Sequence, residues 1–217
     1  METKKPKLTF YNIKVKDLQK YFQFEIIYEE EIFQDWFGFP YSLSIEENEF
    51  LNGLIQKHKL KLPSYSEEKL KMKFLSPILN KVDFYTGKID DWYEVALTYN
   101  FENVTMSGVV DYAVARGTKF PIKPYFFLQE FKSTFPDSDP ELQLLAQMIV
   151  ALEENKMESI KGGYIFGQSW RFAILKKTKN TYFYHVSPVF DSLVIKQLKQ
   201  IYVILQGIKQ EILNIEG

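Results

Sequence analysis

Three charged residues interrupt segments that otherwise have the apolar character of buried strands. Asp111 follows two valines, and Glu130 and Lys132 end an apolar run that is rich in aromatic residues. Because side chains two positions apart on a strand project from the same face, Glu130 and Lys132 are expected to face the same way. Asp111 can face them from a neighbouring strand. Burial of three charges is costly unless they pair with one another or bind a metal ion.

This trio has the chemistry that metal-dependent hydrolysis of a phosphodiester requires. Carboxylates are hard oxygen ligands, and Mg²⁺, or Mn²⁺ in its place, binds through one or two of them while it keeps several waters. The bound metal ion polarises the phosphate and activates a water. The ammonium group of Lys132 can stabilise the developing negative charge, or help to position and deprotonate the attacking water.

Hydrophobic periodicity predicts the elements that position these residues. The strand-like segments are short and either apolar throughout or alternating; they are 93–101, 105–115, 125–132, 164–166, 171–175 and 182–186. The first two predict an antiparallel hairpin that carries Asp111. The segments with helical spacing are about 45–58, about 66–80, the segment that Asp139 caps, and about 190–213. Pro77 lies inside the second helix, where it is expected to cause a kink.

Asp111 followed by Glu130-Phe131-Lys132 resembles the D…(D/E)-x-K signature of the PD-(D/E)xK phosphodiesterase superfamily, although Val110 stands where the family name has proline. The order of helix, hairpin, strand, helix and strand over residues 64–186 is also similar. The resemblance implies an α/β fold with a restriction-endonuclease-like core, in which helices flank a central mixed sheet. It also implies a nuclease that uses Mg²⁺ and acts on nucleic acid, with DNA expected rather than RNA.

The segment from Ser66 to Leu79 resembles the helix before the core in the nuclease domain of type I restriction motor subunits and related stand-alone bacterial proteins. That resemblance implies a role in restriction or defence, and implies Glu67 as a third metal ligand with Asp111 and Glu130. Two alternatives stay open for the helix start: Glu67 instead forms a capping box with Ser64, or Glu68 takes the acidic role.

The resemblance also implies that the helix after the third strand offers a glutamine to the site. Gln143 matches that position, and Gln147, one turn later, is its rival. Lys69, Lys71 and Lys73 alternate along the helix before the core, so they are expected to spread around it on solvated faces.

Composition limits the remaining classes of function. The chain has 217 residues, of which 46% are hydrophobic, and it divides into a helical N-terminal appendage (1–62) and a nuclease-like domain (63–217). The absence of cysteine excludes disulfides, zinc-thiolate sites and cysteine nucleophiles, and is typical of a cytoplasmic protein. No signal peptide and no run of about 18 apolar residues is visible, so no membrane association is expected.

The charge balance gives no support for a strongly basic surface. The formal net charge is -1, and Arg116 and Arg171 are the only arginines. Contact with nucleic acid would therefore depend on a local patch in which lysines carry the phosphate contacts.

A heptad seam runs along the long C-terminal helix. Its apolar positions are Val194, Leu198, Ile201, Leu205, Ile208 and Ile212. The seam could pair two copies of the chain as a homodimer, but packing against its own domain is the favoured interpretation.

Self-association and near-neutral charge also fit a different class of protein, a catalytically silent module that binds nucleic acid or protein. A third interpretation, acid–base catalysis on a glycan, is disfavoured because Lys132 would hold Glu130 ionised.

Overall fold

The computed structural model describes residues 5–216 and confirms the predicted α/β class. Nine strands form one mixed sheet in this part of the chain: β1 (Lys7–Thr9), β2 (Gln23–Tyr28), β3 (Ile89–Asn100), β4 (Thr105–Arg116), β5 (Ile122–Lys132), β6 (Ser159–Phe166), β7 (Ser169–Thr178), β8 (Thr181–Val186) and β9 (Phe190–Asp191). The strand order is β1-β4-β5-β6-β7-β8-β2, with β3 paired to β4 and β9 paired to β7. The β1–β4, β5–β6 and β2–β8 pairs are parallel, and the other pairs are antiparallel.

Helices cover both faces of the sheet. They are α1 (Val15–Gln19), α2 (Gln34–Phe37), α3 (Ile45–His58), α4 (Glu67–Leu70), α5 (Ser76–Val82), α6 (Pro140–Asn155) and α7 (Ile195–Glu216). One core lies between the sheet and helices α2, α3, α4, α5 and α7. The other core contains α6 and α1. Alternation along β5 sends Phe127 and Phe131 to the first core and Leu128 to the second, as the period of a strand requires.

The N-terminal segment is not only helical. Besides α1, α2 and α3, residues 1–62 contribute β1, which pairs with the start of β4, and β2, which forms the far edge of the sheet beside β8. Both pairings are parallel and join residues that lie far apart in the sequence. The division at residue 62 remains a prediction, and strands from both sides of it belong to one sheet.

The helix before the core is continuous, but it is not α-helical throughout. A π-helical segment, Lys71–Leu75, joins α4 to α5 and ends two residues before Pro77. Proline lacks the N–H of an α-helical hydrogen bond and its ring collides with the carbonyl four residues earlier. A wider turn directly before Pro77 accommodates both effects, and turns of this kind occur often at functional sites.

The heptad seam of α7 packs within this chain. Leu198, Ile201, Leu205, Ile208 and Ile212 are buried in the core, whereas Val194 is exposed. The spacing is therefore explained by burial against the chain's own sheet and helices, and gives no reason to expect self-association. Among the described residues, no helix is both long enough and apolar enough to cross a membrane.

Glu47 connects the start of α3 to α7. Its side chain accepts hydrogen bonds from the Ser44 backbone N–H at 2.7 Å, the Tyr41 hydroxyl at 2.6 Å and the Tyr202 hydroxyl at 2.8 Å. Ser44 in turn accepts from the Glu47 N–H, which completes the predicted capping box. Burial alone would raise the pKa of Glu47, but these hydrogen bonds lower it below its ordinary value.

We expect Glu47→Gln to lower the free energy of unfolding at pH 7 by about 1 kcal/mol, because hydrogen bonds to a charged acceptor become neutral ones. A lowered pKa means that this stabilisation is present above the ordinary carboxyl pKa and is lost as the pH falls through the folded-state value. Thermal unfolding from pH 7 to pH 3 should therefore bring the variant and the wild type together. Glu49→Gln, an exposed change on the same helix, is the control; an equal and pH-independent effect of both changes would contradict the assignment.

Candidate active site

The site lies at a fork in the sheet, where one edge of β4 changes partner. One edge of β4 pairs with β3. On the other edge, residues 105–107 pair with β1, and pairing with β5 begins only at Tyr112, opposite Gln129. Residues 108–111 pair with neither strand on this edge and form a gap. Gly108 begins the gap: a Cβ there would lie 2.5 Å from the ring of Phe10, which packs against this position. The gap leaves room in the sheet for side chains.

Asp111 is the last residue of the gap and closes the fork. Its carboxylate Oδ2 accepts the backbone N–H of Phe131 at 2.7 Å. A buried backbone N–H must find an acceptor, and here the side chain of Asp111 provides it across the fork. The aspartate is thereby held at a fixed position beside Glu130 and Lys132.

Glu130 and Lys132 lie on the α6 face of β5, as their spacing predicts, and both are buried. The Lys132 ammonium donates to Glu130 Oε1 at 2.6 Å and to the Phe131 carbonyl at 3.2 Å. The other oxygen, Glu130 Oε2, accepts from Gln147 Nε2 at 2.7 Å. Both oxygens of this carboxylate are therefore engaged by donors.

The electrostatics of this pair follow from burial and neighbouring charge. Burial, with the nearby Asp111 carboxylate, raises the pKa of Glu130 to about 7 even though Lys132 and Gln147 favour the charged form. Burial alone would lower the pKa of Lys132, but the Glu130 carboxylate more than offsets this and raises it. Lys132 is thus an ammonium group at neutral pH.

Of the two candidate glutamines on α6, Gln147 reaches the trio. Besides Glu130, its amide nitrogen donates to the Val109 carbonyl at 3.3 Å, in the gap of β4. Gln143 is also buried, but its Oε1 accepts from the Ser138 hydroxyl at 2.7 Å, in the loop before the helix. The geometry therefore favours the rival position, because the second turn of α6, and not its first, lies over Glu130.

Glu67 lies near the trio without joining its carboxylates. Its Oε2 is 3.7 Å from the Lys132 ammonium, and burial raises the pKa of its carboxyl group. Within residues 5–216, no three Asp, Glu, His or Cys side chains form a cluster that could hold a metal ion. The predicted ligand set of Glu67, Asp111 and Glu130 is therefore not assembled as a compact group.

The hydrogen bonds at the start of α4 show which serine caps this helix. Ser66, not Ser64, caps α4, because its hydroxyl accepts the Lys69 N–H. The Ser64 hydroxyl donates to the Lys61 carbonyl instead. The capping box between Ser64 and Glu67 is therefore wrong, and Glu68 is exposed.

Lys71 belongs to the site, although it was expected on a solvated face. Its ammonium lies 3.1 Å from Asp111 Oδ1 and 2.8 Å from Glu94 Oε1, and its side chain is only 16% exposed. Burial alone would lower its pKa, but Glu94 and Asp111 raise it above the ordinary value. The sequence offers one indication of this position: Lys71 follows Glu67 by four residues, a spacing that places the two side chains on the same face of a helix.

The donor set fits a hard divalent cation. Four carboxyl groups and two ammonium groups lie in two neighbouring sets of ion pairs: Lys71 pairs with Glu94 and Asp111, and Lys132 pairs with Glu67 and Glu130. The amide oxygen of Gln147 is buried without a hydrogen-bond partner. Mg²⁺ needs only one or two carboxylates, so Asp111 and Glu130 suffice if their lysine partners give way.

Comparison with protein-family models gives no match, and comparison with curated proteins gives none either. Among solved structures, the chain is similar to an alkaline exonuclease from Laribacter hongkongensis, with 10% sequence identity and a TM-score of 0.26. That match covers 85% of this chain and 89% of the other.

Gln147 and Gln143 can be distinguished experimentally in the metal-free protein. The hydrogen bond from Gln147 to Glu130 Oε2 favours the charged form of Glu130. Gln147→Leu removes this bond, so the pKa of Glu130 should rise further. A carbon-13 NMR titration of the glutamate carboxyl groups would follow this change. Gln143→Leu, on the same face of α6, should leave the titration of Glu130 unaltered. Equal shifts in both variants would contradict the assignment of Gln147.

Proposed function

We propose that this protein is a metal-dependent nuclease that hydrolyses phosphodiester bonds in nucleic acid. The observation that carries the proposal is the meeting of Asp111, Glu130 and Lys132 at the fork between β4 and β5, where each is buried and hydrogen-bonded. Buried ionisable groups with shifted pKa values, such as Glu130 and Lys132, cluster at functional sites. The same three residues carry the resemblance to the PD-(D/E)xK superfamily.

The chain's own residues have distinct roles in this proposal. Asp111 and Glu130 would hold Mg²⁺, with Mn²⁺ as a substitute, and the ion would supply polarisation of the phosphate and an activated water. Hydrolysis adds a hydroxyl group to phosphorus and a proton to the leaving oxygen. Since Lys132 is already protonated, it is suited to stabilise the negative charge that builds on the phosphate, and not to accept a proton.

Gln147 positions Glu130 in this scheme. Its amide nitrogen fixes one carboxylate oxygen, and its free amide oxygen faces the same buried region. DNA is the first substrate to test, because the superfamily resemblance includes restriction nucleases. The finer likeness to type I restriction motor subunits leads us to propose restriction or defence as the cellular role.

Asp111→Asn and Lys132→Met should each reduce cleavage of DNA by about 100-fold or more, since each removes a charge that acts on the reacting phosphate or its metal ion. Asparagine can still accept the Phe131 N–H, so the fold should persist. Asp83→Asn is the matched control, because Asp83 is an exposed carboxylate at the end of α5 in a left-handed conformation that asparagine tolerates. Circular dichroism would verify folding. Cleavage that persists in both site variants would contradict the assignment of the active site.

Metal binding separates this proposal from a second candidate, a catalytically silent module with the same fold. The ion pairs of Lys71 with Asp111 and of Lys132 with Glu130 favour that candidate, because they neutralise the carboxylates without a metal ion. Calorimetric titration of Mn²⁺ into the wild type should show binding that Asp111→Asn weakens by at least about ten-fold. Identical heats in the two proteins would favour the silent module.

A further inference from the structure

Both oxygens of the Asp111 carboxylate are already in use. Oδ2 accepts the backbone N–H of Phe131, and Oδ1 accepts the ammonium of Lys71. Each oxygen still has a second lone pair, so a metal ion that binds Asp111 must either share an oxygen with one of these donors or take its place. The backbone donor is fixed by strand β5, whereas the lysine ends a flexible four-carbon stem. Lys71 is thus the donor that can give way.

A metal ion and the Lys71 ammonium also repel each other. Lys71 lies 3.1 Å from Asp111 Oδ1, so an ion on that oxygen would stand within a few ångströms of the ammonium. Like charges at such a distance in a partly buried site oppose each other strongly. Simultaneous occupancy is disfavoured, and the two cations compete for one oxygen.

The backbone of β3 is distorted where Lys71 finds its second partner. Glu94 has a φ of 54°, a left-handed conformation that is uncommon for a residue other than glycine, and it interrupts the register opposite Asp111. Such outliers persist only where the surrounding structure maintains them, and they are frequent at functional sites. The distortion brings the Glu94 carboxylate to 2.8 Å from Lys71.

Glu94 is a second ion-pair partner of Lys71 and lies outside the trio. The Glu94 side chain is 62% exposed, compared with 11% for Asp111, so it lies at the rim of the site. An ammonium that leaves Asp111 can remain paired with Glu94 without becoming a buried, unpaired charge. The Lys71 ammonium also lies over the ring of Phe131, 5.8 Å from the ring centre.

We infer that Lys71 is the resident counter-ion of Asp111, and that a divalent metal ion displaces it toward Glu94. This inference rests on the proposed function, because it uses the same metal site. Lys71 then acts as a positioning residue that sets how much metal is needed to load the site. In the absence of metal it keeps the carboxylate neutralised, which stabilises the fork.

Calorimetric titration of Mn²⁺ into the wild type, Lys71→Met and Lys69→Met tests the inference. Removal of the competing ammonium should lower the Mn²⁺ dissociation constant of Lys71→Met about ten-fold, the equivalent of one hydrogen bond to a charged group. Lys69 lies on the same helix, with its ammonium over the Tyr65 ring at 4.5 Å, so Lys69→Met removes an equal charge outside the trio. Its affinity should match the wild type.

Unchanged or weaker binding in Lys71→Met would overturn the inference, because it would mean that Lys71 orients Asp111 for metal instead of competing with it. Equally tighter Mn²⁺ binding in both variants would mean that the effect comes from the change in net charge, and this would also overturn the inference. Failure of the proposed function is a separate result: the wild type itself would then show neither Mn²⁺ binding that depends on Asp111 nor cleavage of DNA.

A second measurement uses only the wild type and does not depend on the stability of a variant. Brief treatment with an amine-acetylating reagent, followed by mass spectrometry, gives the modification rate of each lysine. Saturating Mn²⁺ should increase the rate at Lys71 several-fold relative to Lys69, because the ammonium loses its buried partner. A ratio that Mn²⁺ leaves unchanged would contradict displacement.

Discussion

The hydrogen bond from the Phe131 N–H to the Asp111 carboxylate is the interaction on which the site depends. It exists because one edge of β4 is shared by two partners, β1 and β5, which leaves an unpaired interval between them. A sheet that continued without this interval would satisfy Phe131 through a strand carbonyl and would have no space for polar side chains. The Asp111 side chain satisfies this backbone N–H and is thereby fixed in place, where its other oxygen accepts the Lys71 ammonium.

The charges around the fork are arranged so that none is isolated. Lys132 pairs with Glu130, and Lys71 pairs with Asp111 and Glu94. Removal of one partner from a buried pair is costly, whereas a cation that takes the place of another still neutralises the carboxylate. Under the proposed function, this arrangement would keep the carboxylates of the metal-free protein paired until a divalent ion binds. The raised pKa of Glu130 reflects its burial and the nearby Asp111 carboxylate.

The trio itself could be predicted from the sequence because local rules are sufficient for it. A period of two places Glu130 and Lys132 on one face, and the apolar residues around them indicate burial. The choice between Gln143 and Gln147 could not be made in this way, since both lie on the same face of α6 and only the position of the helix over β5 distinguishes them. Lys71 was missed for a similar reason: alternation of lysines predicts solvation, and its partners lie on β3 and β4. Strand β1 was not predicted, because it is short and its pairing partner β4 is distant in sequence.

The location of a bound metal ion tests the central claim most directly. Crystals of the wild type soaked in Mn²⁺ would reveal the ion by its anomalous scattering, independently of any activity. The account predicts a peak at the fork, ligated by Asp111 and Glu130, with the Lys71 ammonium moved away from Asp111 Oδ1. An ordered fork without a Mn²⁺ peak, with Lys71 still bonded to Asp111 at saturating metal, would contradict it.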